Sequence, residues 1–194
     1  THKKWKDVAT KLAQFHKTER NIESHVVDID QVYNEFCSGN KDVMAIRRLL
    51  YMLYQNANGN TSLMPKTALL FGNACVDYKG ILNLSEDFIP TYQTLFPENY
   101  AESFCTDDFY GLLDPTESTI QPSATLDIGI GRIAATTLTE ANDMYAKVKA
   151  YKAKSSYADW RNSTTVVSDD YDASSDATFY IQNEVMTQYI KDTQ

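Results

Sequence analysis

The sequence predicts an α/β fold, doubly wound, with a mainly parallel sheet flanked by helices. Three observations carry that prediction. Thr67-Ala68-Leu69-Leu70-Phe71 is too apolar to alternate and too short for a helix, and Gly72 stops it; a strand buried on both faces of a parallel sheet reads this way. Other short strand-like runs are separated by segments with helical apolar spacing, and such alternation implies a parallel sheet with helices on both faces. After Gly72 comes a loop of small and polar residues ending in Asp77. In open α/β sheets ligands sit in loops at the carboxyl ends of strands, so any chemistry should face that edge.

The elements follow in order. Trp5, Val8, Leu12 and Phe15 recur at three- and four-residue steps, which predicts an amphipathic helix over residues 3–17 with lysines on its other face. Residues 25–29 read as a strand. Asp30 is the expected N-cap of a short helix through Tyr33 and Phe36, with Gly39 as its stop. Asp42 should cap a second helix, striped by Val43, Ile46, Leu50 and Leu53, that runs to a turn-forming loop at residues 56–60. Pro90, Pro97, Pro115 and Pro122 make residues 81–125 mostly loops, with a short strand near 88–92. Residues 126–130 form another expected strand. Thr137-Leu138-Thr139-Glu140 is a capping box opening a helix that carries Ala141, Met144, Tyr145, Val148 and Tyr151. Ser163-Thr164-Thr165-Val166-Val167 is a β-branched strand candidate, residues 169–176 an acidic loop, and residues 178–190 a last helix.

The 194 residues suffice for one α/β subdomain with a real core, so residues 1–194 read as a single unit. A doubly wound domain ordinarily opens on a strand and this chain opens on a helix. The first strand of the sheet is therefore expected upstream of Thr1, which would leave a sheet edge open to self-association.

Charge and cysteine usage exclude several classes. Net charge −8 argues against nucleic-acid binding, which rests on Lys and Arg neutralising phosphates. Cys37, Cys75 and Cys105 are odd in number and widely spaced, and so make neither a disulfide framework nor a CxxC zinc site. No apolar run approaches the roughly 20 residues of a spanning helix, and no signal peptide is legible behind Thr1.

Four stretches, in order, carry a resemblance. They are Val32-Tyr33-Asn34-Glu35-Phe36 with Ala45-Ile46-Arg47; Leu69-Leu70-Phe71-Gly72 followed by Asp77-Tyr78-Lys79-Gly80; residues 107–114, Asp-Asp-Phe-Tyr-Gly-Leu-Leu-Asp; and Asp127-Ile128-Gly129-Ile130-Gly131-Arg132. Together they resemble the gingipain-type cysteine peptidases, and among them the sortase-like peptidases of the type IX secretion system. The family usually has Asp-Gly-Ser-Tyr where this chain has Asn73-Ala74-Cys75-Val76. The resemblance implies the N-terminal part of an exported cysteine endopeptidase or sortase, placed in the periplasm, outer membrane or cell surface of a bacterium and acting on protein or peptide substrates. It also implies that the family's catalytic histidine and cysteine lie beyond Gln194, so that no catalytic residue is expected here and the chain itself is scaffold. In the arginine-specific gingipains an acid shortly before the helix after the later strand selects the basic substrate side chain, and Asp176 is the nearest position.

Other candidate sites carry less. Gly129-Ile130-Gly131-Arg132-Ile133-Ala134 matches G-x-G-x-x-G/A, but pyrophosphate binding needs the second glycine at a helix N-terminus, and the capping box puts that terminus later. Residues 170–176 space oxygen ligands like a calcium loop but offer Ser175 and Ile181 where an EF-hand needs glycine and glutamate. A solvated loop is expected, with calcium as the alternative and no other cofactor. A nucleophilic cysteine needs a nearby base, and the three histidines, His2, His16 and His25, all lie in the first quarter of the chain. His16 is expected on a surface and His25 in a structural role. The competing functional classes are a non-catalytic α/β interaction module and a flavodoxin-like cofactor carrier.

Overall fold

The computed structural model describes residues 1–75, 77–83, 89–94, 103–115, 117, 124–170, 172–173 and 177–193. The chain divides into two compact units, Thr1–Ala150 and Tyr151–Gln194.

In the first unit His2 Nδ1 accepts from the Lys4 amide at 3.2 Å and caps a 3-10 turn, Lys3–Trp5, that leads into α1 (Lys6–Arg20). Trp5, Val8 and Leu12 are buried. The helix ends because Asn21 adopts a left-handed conformation at φ 52°, and the amides of Asn21 and Ile22 close on the carbonyls of Lys17 and His16. The strand expected at residues 25–29 does not form. His25 is exposed in an irregular segment, and Asp28 caps the next helix by accepting from the Asp30 amide at 3.0 Å, which draws Ile29 into α2 (Ile29–Cys37). The cap therefore lies two residues earlier than the expected Asp30. Ser38 and Gly39, both at positive φ, end α2, with the Gly39 amide on Tyr33 O at 2.9 Å.

Asp42 caps α3 (Val43–Asn56) as its sequence predicts, accepting from the Met44 amide at 2.8 Å. The buried face of α3 is Ala45, Ile46 and Leu50, whereas Leu53 is 42% exposed. The stripe is rotated toward Ala45, whose small side chain lets α3 lie close to its neighbours.

β1 (Thr67–Phe71) pairs in parallel with β4 (Gly129–Ile133), Thr67 opposite Gly129 and Phe71 opposite Ile133. β2 (Tyr92–Gln93) and β3 (Cys105–Thr106) form a short antiparallel pair. The later strand of the parallel pair starts three residues beyond the expected 126, because the Asp127 carboxylate turns aside to accept from the Leu113 amide. β1 is not buried on both faces throughout: Leu70 and Phe71 are enclosed, but Leu69 is 47% exposed. Gly129 and Gly131, opposite Thr67 and Leu69, offer no side chains to cover that face.

Phe71, Ile89, Phe109, Tyr110 and Leu113 form the enclosed centre of the unit. Tyr92 stacks on Phe109 at 4.0 Å between centroids. α4 (Leu138–Lys152) opens on the expected capping box: the Glu140 amide donates to Thr137 Oγ1 at 3.2 Å, and Glu140 Oε2 accepts from the Thr137 amide at 3.3 Å. Phe15 on α1 meets Tyr145 on α4 edge-on at 6.5 Å.

In the second unit two 3-10 turns, Lys154–Ser156 and Asp159–Asn162, precede α5 (Thr178–Thr193). The strand expected at residues 163–167 is absent, and Val167 is 83% exposed. β-branched residues favour a strand only where a neighbour supplies ladder partners and a face to pack on.

Candidate functional site: the carboxyl edge of the parallel strands

Arg132 organises the carboxyl ends of β1 and β4. It lies opposite Leu70, one residue before the end of β4. Nε and Nη2 form a fork on the Asp107 carboxylate at 2.7 and 2.8 Å; Nη1 donates to Gly72 O and Ile89 O, each at 2.8 Å; and Nη2 also reaches Pro90 O at 3.0 Å. All five guanidinium N–H groups are thus used. One side chain ties the end of β1, the 89–90 segment and the start of the 3-10 turn Asp108–Gly111 into a ledge. The two side chains are only 14% and 20% exposed, so this pair is well shielded from water.

Three more motif groups finish the ledge. Asp77, 5% exposed, accepts from the amides of Ile81 and Leu82 at 2.7 and 2.8 Å and folds residues 77–82 into a turn. Asp127 accepts from the Leu113 amide at 2.7 Å and from the Tyr54 hydroxyl at 3.2 Å, and its charge raises the Tyr54 pKa. Arg47 on α3 donates to Leu112 O at 2.7 Å and to Glu117 O, with its guanidinium 5.2 Å from the Phe109 ring centroid. Burial lowers the Arg47 pKa, against the opposing charge of Glu117. Tyr110, fully buried, donates to Pro90 O at 2.6 Å.

The loop after β1 is built by backbone. Gly72 donates to Ile133 O at 2.9 Å, Asn73 to Ala135 O at 3.2 Å, and the Ile89 amide to Asn73 O at 3.1 Å. Gly72 sits at φ 147°, a conformation that favours glycine. Cys75 Sγ accepts from the Asp77 amide at 3.4 Å. Gly129 and Gly131 lie inside β4 rather than in a phosphate-binding turn, and a Cβ on Gly129 would stand 3.2 Å from Thr67 Cγ2.

The other sequence candidates are dispersed. Thr1 Oγ1 reaches Phe71 O at 3.4 Å and sets the N-terminus at the carboxyl end of β1, where the His2 imidazole caps the first turn. Burial is the largest influence lowering the His2 pKa. His16 is half-buried on α1, not on the surface, and His25 is exposed. Among the described residues no three His, Cys, Asp or Glu side chains converge as metal ligands. Asp170 and Asp172 of the acidic run are exposed. Asp176 lies outside the described residues, as do Val76 and Ser175. No described helix is long and apolar enough to cross a membrane. A shallow groove of about 490 Å³ between α1 and α4, lined by residues including Lys11, Glu19 and Lys149, gathers both signs of charge but no cysteine or histidine.

Sequence reasoning did not single out Arg132 and Asp107 as partners. The available signal was a long cation in the interior of a strand, because a charge placed there must find an acid and carbonyl acceptors.

The parallel strand pair with helices and a ledge at its carboxyl edge defines an α/β domain. The family model of peptidase family C25 matches residues 1–194, and the chain belongs to that family, the gingipains. The crystal structure of dimeric latent PorU from Porphyromonas gingivalis is similar in fold, with a TM-score of 0.67 and 24% sequence identity over 84% of this chain. The chain spans 16% of the PorU chain. No curated protein matches the chain.

Proposed function

We propose that this chain is the scaffold portion of a gingipain-like cysteine endopeptidase or sortase, exported through type IX secretion, and that it has no peptidase activity of its own. The observation that carries the reading is the full occupation of the ledge. Arg132 and Asp107 are spent on each other and on three carbonyls, and Asp77 and Asp127 on backbone amides. Groups so engaged position a site; a general base or nucleophile must instead be able to reach a substrate atom. With no histidine after His25, a thiol in the later part of the chain has only an N-terminal imidazole to turn to.

Incubation of the chain with arginyl and lysyl fluorogenic peptides, before and after alkylation, tests the reading. The expected result is no turnover above the alkylated control. Alkylation-sensitive turnover would mean that Cys75 reaches one of the early histidines, and would refute the proposal.

A second reading, an interaction module acting through its sheet edge, is favoured by one observation. Among the described residues β1 pairs with β4 alone, so its other edge presents ladder groups to a partner. The PorU structure is described as dimeric, which agrees with association somewhere in that larger protein.

A further inference from the structure

We propose that the aromatic and basic cluster around Arg161, in the second unit, is a docking surface for an acidic peptide segment. This goes beyond the scaffold reading and does not depend on it. The Arg161 guanidinium lies 4.2 Å from the Tyr157 ring centroid, 4.3 Å from that of Tyr151 and 5.1 Å from that of Trp160. Its Nε donates to Ser156 O at 3.1 Å, and Nη2 to Ser156 Oγ at 2.6 Å and to Tyr151 O. Nη1 makes no hydrogen bond among the described residues. The cation is therefore oriented in advance, with one edge left for an acceptor, and an incoming carboxylate need not pay again for ordering the side chain.

The rings would be the floor of the site. Tyr151, Trp160 and Tyr157 are 48%, 53% and 63% exposed, although each has large apolar area to bury. Trp, Tyr and Arg together are the composition of binding hot spots. Lys152 Nζ lies 5.4 Å from the Tyr151 centroid, and the exposed Lys154 follows it. Residues 151–161 thus hold three cations against the single acid Asp159, and none of the three has an ion-pair partner among the described residues. In a chain of net charge −8 such a local patch selects for a few carboxylates in a row, because a dense polyanion would also meet the repulsion of the whole molecule.

The test titrates the full chain into a rhodamine-labelled peptide of alternating glutamate and glycine and follows anisotropy, with a lysine–glycine peptide and oligo-dT as comparisons. Saturable binding of the glutamate peptide alone is expected, weakened about fivefold or more in Arg161→Gln. Arg161 also braces the two 3-10 turns, so the double variant Lys152→Gln with Lys154→Gln, at exposed positions, supplies a second arm with the same expected loss. Absence of saturation, equal affinity of wild type and the double variant, or equal binding of the lysine peptide would overturn the proposal. Tighter binding of oligo-dT than of the glutamate peptide would overturn it in favour of a nucleic-acid surface.

Discussion

At the scale of single residues, the groups that carry the family resemblance hold backbone. Arg47, Asp77, Asp107, Asp127 and Arg132 each receive or donate two or more hydrogen bonds, most of them to main-chain atoms of loops that no regular element supports. A charged side chain suits this task because its hydrogen bonds are strong and an unpaired buried charge is costly. Gly111 belongs to the same group for a steric reason. A Cβ there would stand 2.9 Å from Leu126 Cδ2 and 3.0 Å from Ile128 O, so Gly111→Ala must push the 3-10 turn away from the approach to β4. A loss of about 1–3 kcal/mol in urea unfolding is expected, the usual cost of overpacking; an unchanged midpoint would show that the turn yields freely.

Among the elements, local sequence signals succeeded where their cause was local. The Asp42 cap and the Thr137–Glu140 box rest on a side chain meeting an amide two or three residues away, and both were legible. The two expected strands that failed, at residues 25–29 and 163–167, needed a partner that no local pattern encodes. At the first of these, Asp28 offered a better helix start than Asp30. The box also has a pH signature. Hydrogen bonds from the Thr136 amide, then the Thr136 hydroxyl and the Thr137 amide, hold the Glu140 carboxyl below its usual range. The stability it contributes is present above the unfolded carboxyl pKa of about 4.3 and is lost as pH falls through the lower folded value. Glu140→Gln should therefore narrow the gap between melting temperatures at neutral and acidic pH; an identical pH profile in wild type and variant would show that the box adds nothing.

On the scale of the whole molecule, the parallel sense of the strands and the carboxyl edge of β1 as the side a site should face were legible from one apolar run, one glycine and the alternation around them. The Arg132–Asp107 fork was not, because its partners are 25 residues apart and join only when β4 docks beside β1. Nor was the open face of β1, which follows from the glycines of β4. Among the described residues β1 has a strand partner on one edge only, and this bears on behaviour in solution. Self-association is expected in size-exclusion chromatography at high concentration, through backbone pairing. A clean monomer at every concentration would mean that the edge is protected.

The central claim is that the motif residues at the carboxyl edge act by holding it together, and the Arg132–Asp107 pair tests this most directly. A double-mutant cycle in urea, with Arg132→Met, Asp107→Asn and both together, measures how far the two depend on each other. The account predicts that Arg132→Met costs about 2–4 kcal/mol, since it orphans a shielded carboxylate and three carbonyls, and that the double variant loses clearly less than the sum of the singles. Additive losses, or singles within about 0.5 kcal/mol of wild type, would contradict it.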